Sequence, residues 1–230
     1  MTSPAGGAVT RITRIHPPVP ARYARRALAR VPDHDPVRAR QVVHGLSTVA
    51  GVAEECAPLR RRDVGGPRRT GDLDCVTVGC WGSVVQITDP AFGEDGVTTR
   101  NMDGAFEAQV ESHPEARVIG VCEMDFSLSY LKYLVRVPGV APVRAEGWDD
   151  IDLAGDPVRT LRALGITPGA PGTAEVSPDD LEHVVRSDYL DVLSCGLHHT
   201  YADERLTVSV FKVARPDHVR DALEAVWCRD

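Results

Sequence analysis

LDCVTVGCWGSVVQIT, residues 73–88, is the stretch on which the fold turns. Val76 and Val78 fall on one side of an alternating run, and β-branched residues return at Val84, Val85 and Ile87. Between the two runs, Trp81, Gly82 and Ser83 supply turn chemistry. Two alternating segments around a short glycine-containing turn predict a β-hairpin. That hairpin makes sheet, not helix, the frame onto which the rest of the chain is placed.

Working outward, the same period recurs. Residues 117–122 (RVIGVC) form a β-branched strand. In residues 130–137, Leu131, Tyr133, Val135 and Val137 point one way and Lys132 and Arg136 the other. Pro138-Gly139 is a type II turn pair, and residues 140–146 complete a second hairpin. Residues 207–213 (TVSVFKV) predict another strand, and residues 9–15 (VTRITRI) an edge strand.

Helix starts are marked by capping chemistry. Asp35-Pro36 sets a carboxylate before a proline suited to the first helical position. Ala39, Val42, Val43, Leu46, Val49, Ala50 and Ala53 then recur at helical spacing. Asp156-Pro157 repeats the device, with Leu161 and Leu164 behind it and Gly165 as its end. Ser177-Pro178 starts a third helix through Leu181, Val184 and Val185. Pro216 opens a fourth, with Val219, Ala222, Leu223, Val226 and Trp227 on one face. Loops are expected at 57–71, rich in Arg and Gly, and at 167–178, rich in Pro and Gly. Hairpins with helices clustered between them predict an α+β fold, a mostly antiparallel sheet with helices packed on it. Residues 9–230 are read as a single domain after a flexible stretch at 1–8.

The 230 residues, 43% hydrophobic and 26% charged, suffice for a sizeable core. No apolar run approaches the roughly 18 residues of a membrane span, and no secretory leader is visible. The chain has 24 Arg and 2 Lys, a skew of GC-rich coding, so a bacterial cytoplasm is expected. Its six cysteines are then free thiols or ligands, and no two have C-x-x-C spacing. Residues 1–72 hold 13 Arg against 6 acidic residues, and residues 73–230 hold 13 basic against 27 acidic. An arm that binds nucleic acid is one reading of the basic segment. A segment lying against the chain's own acidic part is the favoured one, because no aromatics interleave with the arginines.

Signatures of common enzyme chemistry are absent: no P-loop, no Gly-rich dinucleotide turn, no H-E-x-x-H and no G-x-S-x-G. SCGLHHTYADE, residues 194–204, offers Cys195 and His198 at C-x-x-H spacing, with His199 beside them. Zinc needs three or four ligands, and only His218, Cys228 or Asp203 are at hand to complete the set. A thiol nucleophile at Cys195 with a histidine base is the companion reading. An ordinary polar loop is favoured over both, so no cofactor is expected and zinc is the alternative left open. Trp81 at the hairpin tip, Asp89 at the far end of its returning strand, and Glu123 with Asp125 on one strand face are the candidate ligand-binding residues. The weightier reading for each is structural: a packed Trp and strand-end acids.

VGCWGSVVQITDPA (78–91), AEGWDD (145–150) and GDPVRTLRALGI (155–166) resemble a family of small soluble actinobacterial proteins known only as a domain of unknown function. The resemblance runs from about residue 24 to residue 213 and implies no catalytic residues. The resemblance does not require the Arg-rich stretch 57–71 or the cysteines to belong to the family pattern. The expectation is a cytoplasmic protein that binds a protein partner or a small ligand without catalysis. A Cys/His-dependent enzyme is the alternative.

Overall fold

The computed structural model describes residues 8–16, 32–97, 99–125, 129–148, 150–164 and 206–228. Their strands are β1 (Val9–Ile15), β2 (Gly51–Arg60), β3 (Cys75–Trp81), β4 (Val84–Thr88), β5 (Arg117–Asp125), β6 (Ser129–Arg136), β7 (Val143–Gly147), β8 (Ile151–Ala154) and β9 (Thr207–Ala214). They join in one nine-stranded sheet, in the order β2-β9-β3-β4-β1-β5-β6-β7-β8. Every neighbouring pair is antiparallel. Four α-helices accompany it among the described residues: α1 (Pro36–His44), α2 (Asn101–Ser112), α3 (Pro157–Ala163) and α4 (Asp217–Trp227). The fold is a single α+β domain, as the hairpin reading predicts.

The hairpin at 73–88 is β3–β4, with Trp81 opposite Val84. Its turn is Gly82-Ser83 alone; Gly82 takes a φ of 57° and Trp81 belongs to the strand. The caps at Asp35 and Asp156 form as read, accepting from the backbone N–H of Arg38 at 3.0 Å and of Arg159 at 2.8 Å. The face of α4 is also as read, with Val219, Leu223, Val226 and Trp227 buried.

Two readings are corrected. First, β1 is no edge strand: it lies between β4 and β5, at the middle of the sheet. Its Thr and Arg side chains are buried and bonded. Thr10 donates to the Asp89 carbonyl at 2.9 Å, Thr13 accepts from Gln86 Nε2 at 3.0 Å, and Arg14 donates to Gln109 Oε1 at 2.9 Å. Second, the helix at Asp35-Pro36 stops at His44, and residues 51–60 are β2, so the loop expected at 57–71 starts only after Arg60. Of the stripe beyond His44, Leu46 and Val49 still pack on the core, while Ala50 and Ala53 are exposed. The helix expected after Ser177-Pro178 and the loop at 167–178 lie outside the described residues.

The sheet has a core on each face. On one, α1, α2 and α4 bring Val43, Phe106, Leu223 and Trp227 against Ile12, Val76, Val85 and Phe211. On the other, Trp81, Ile119, Val121, Tyr133 and Val135 are joined by Leu161 of α3. The Trp81 ring lies across Gly79 of its own strand, where an added Cβ would come within 2.1 Å of it.

Candidate ligand-binding cleft

Two buried charge clusters organise the helical face. In the first, Arg215 grips Asp89 with both arms, at 2.8 and 3.0 Å, and both side chains are fully buried. Thr48 donates to the same carboxylate at 2.6 Å, and the N–H of Ala91 at 2.9 Å. Arg215 also donates to the carbonyls of Leu73 and Thr48. Asp89 thus ties the end of β4, the stretch before β2 and the β9–α4 joint together. A buried carboxylate is tolerated when paired and hydrogen-bonded in this way.

In the second, Lys132 sits in mid-strand with Nζ 2.6 Å from Glu94, 2.9 Å from Asp103 and 3.6 Å from Glu146. Arg144 pairs with Asp103 and Glu146. The Tyr130 hydroxyl lies 2.8 Å from Glu94 and 3.1 Å from Glu146, and its single proton serves one of them at a time. Glu94 also accepts from the N–H of Met102 in the first turn of α2. Burial would favour the neutral form of Glu146, but the bond from Arg144 and the charge of Lys132 outweigh it and hold its carboxyl below the usual range. Burial, then Glu94, pushes the Tyr130 phenol well up. Alternation had aimed Lys132 away from the apolar face of its strand; that second side is not solvent but the helical core.

Above the first cluster, with which it shares Thr48 and Ala91, lies an open cleft of about 250 Å³ between α2, α4 and the stretch before β2. Ser47 and Thr48 line one side, Arg100, Asn101 and Gly104 a second, and His218 a third, with alanines between. Gly104 stands inside α2, where glycine costs about 1 kcal/mol relative to alanine. No neighbour requires it: an added Cβ would meet nothing within 4 Å. Its missing side chain leaves the cleft open. Among the described residues neither Arg100 nor His218 forms a side-chain hydrogen bond or ion pair, and both are exposed.

Other groups with chemical potential are pinned. The His34 Nδ1 accepts from the N–H of Cys80 at 3.1 Å, and Nε2 lies 2.9 Å from the Ser209 hydroxyl. A backbone N–H can only donate, so the imidazole proton sits on Nε2 and is given to Ser209. His34 in that tautomer cannot take a proton from the serine. Burial pushes the Cys80 thiol up to about 11, and pushes Cys75 and Cys122 in the same direction. None of these three is a ready thiolate.

The residues singled out in the sequence are not gathered at one place. Trp81 is buried on the second face, its Nε1 donating to the Thr207 carbonyl at 3.1 Å. Asp89 is enclosed in its cluster beneath the cleft. Glu123 accepts from the Tyr133 hydroxyl at 2.5 Å on the second face, and Asp125 is exposed at the end of β5. Cys195, His198 and His199 lie outside the described residues, as does Asp203. Sequence reasoning missed Arg100, Gly104 and Ser47; the glycine inside NMDGAFEAQVES was the one available signal. Among the described residues no helix is long and apolar enough to cross a membrane, and no three His, Cys, Asp or Glu side chains are placed to hold a metal ion. Three arginines of the basic segment, Arg11, Arg14 and Arg61, are buried in the protein itself.

As a class, this is an antiparallel α+β domain with internally paired buried charges and an open polar cleft. The chain belongs to a family of unknown function, DUF6333, whose model matches residues 4–230. The match takes in the Arg-rich stretch 57–71 and all six cysteines. No curated protein and no solved structure matches the chain.

Proposed function

We propose that this protein is a non-catalytic binding protein that takes a small polar ligand in the cleft between α2 and α4. The observation that carries the reading is Gly104. A helix-interior glycine without a packing reason is a cost to stability, and here it keeps a cleft open beside a guanidinium and an imidazole that have no side-chain partner among the described residues. The cleft is smaller than the roughly 300–1,000 Å³ typical of drug-sized ligands, which suits a compact metabolite. The lack of catalysis is supported by the buried ionic groups, which partner one another, and by the pinned tautomer of His34.

The test is the melting temperature of chelator-stripped protein against zinc, nucleotides, sugars and small organic acids. A ligand of the folded state raises it, by about 2.7 kcal/mol of stability at a hundredfold excess over Kd. Gly104→Leu fills the cleft with a better helix former. The expected result is a shift with one class of compound in the wild type and none in Gly104→Leu, whose own melting temperature is unchanged or higher. A shift that survives in Gly104→Leu, or a panel without effect, overturns the reading.

A further inference from the structure

Strand β2 ends the sheet on one side, and among the described residues no strand lies beyond it. It is ten residues long, against four for β8 at the opposite edge. Most of β2 is exposed on both faces, and Leu59, at 41%, is one of three large apolar residues exposed among the described ones. A long open edge is a template for another strand.

The register with β9 says which strand fits. Cys56 lies opposite Val210 and Leu59 opposite Val208, so the shift between them puts both side chains on one face. Glu55 lies opposite Phe211 and Arg60 opposite Thr207, so these two share the other face. A second β2 laid antiparallel about a two-fold axis between Ala57 and Pro58 therefore sets each Glu55 against the other copy's Arg60, on the same face. It also sets each half-buried Cys56 against the other copy's Leu59. A slip of one residue would oppose side chains from opposite faces. Pro58, which has no N–H, faces Ala57 in this register, and together with the two register shifts it discourages addition of unrelated strands. Arg40 of α1 already pairs with Glu55; both are partly exposed, and the carboxylate has lone pairs left for a second guanidinium.

We propose that β2 is the contact of a two-fold symmetric homodimer, in which the sheets of two copies run on as one. Isologous contacts of this kind are the commonest route to oligomers, and a single-strand junction predicts a weak, concentration-dependent dimer.

Sedimentation equilibrium of the full chain across the micromolar range tests it. The wild type is expected to pass from monomer to dimer as concentration rises. Glu55→Arg and Arg60→Glu, each alone, are expected to weaken dimerisation at least tenfold, because like charges then face each other twice. Mixing the two variants restores every opposite pair and is expected to recover the dimer. Leu59→Cys is expected to give an intermolecular disulfide under mild oxidation that Cys56→Ser removes. All four positions lie on an exposed edge, and an unchanged circular dichroism spectrum shows that the variants fold. A wild type that stays monomeric, a dimer indifferent to the charge reversals, or a crosslink independent of Cys56 overturns the proposal.

Discussion

His34 shows how one side chain can make the protein sensitive to acid. Its Nδ1 must stay unprotonated to accept from Cys80, and burial foremost lowers its pKa, against a smaller opposing effect of Asp35. The folded state therefore prefers the neutral ring. The stability this contributes is complete above the unfolded value of about 6.5 and is lost as pH falls through the lower folded value. Urea titrations at stepped pH are expected to show stability falling below about pH 6.5. His34→Gln keeps one acceptor and one donor and is expected to flatten that fall; an unchanged slope would remove His34 as its source. Gly79 is a second single-residue case. Gly79→Ala drives a methyl into the Trp81 ring and is expected to cost about 1–3 kcal/mol by urea denaturation, with a change in tryptophan emission.

Among the elements, the Asp89–Arg215 pair is the joint that locates α4 against the sheet. Asp89→Ala leaves a buried guanidinium without its counter-charge and is expected to cost about 3–5 kcal/mol in chemical denaturation. A loss under 1 kcal/mol would mean that the joint does not depend on the pair. Elements written in adjacent residues were legible in the sequence: the hairpin at 73–88, the Asp35 and Asp156 caps, the last helix. Those decided by distant residues were not. Val9–Ile15 carries polar side chains that mark an edge until Asp89, Gln86 and Gln109 are brought to them. Helix α2 has an interior glycine and no capping side chain at Arg100; its first-turn bond comes from Glu94, eight residues before Met102. Lys132 is bonded to carboxylates 29 and 38 residues away, which no local pattern records. The cleft was hidden for the same reason, since residues 47, 104 and 218 come from three separate segments.

For the molecule as a whole, the fold class followed from hairpins alone, but the order of strands did not. Strand β9 lies between β2 and β3, so its two neighbours in space precede it by more than a hundred residues of chain. Synthesis therefore delivers β2 long before the strand that holds it. Until residue 214 has been made, β2 has no sheet partner among the described residues, and a ten-residue strand with an open edge on each side is exposed to wrong pairing. Folding in stopped-flow is expected to be slow, on the order of milliseconds to seconds, as in other folds that close by distant pairings. Glu54, Glu55, Arg60 and Pro58 then have an earlier duty than any in the finished protein: they keep a waiting strand soluble while the ribosome is still at work.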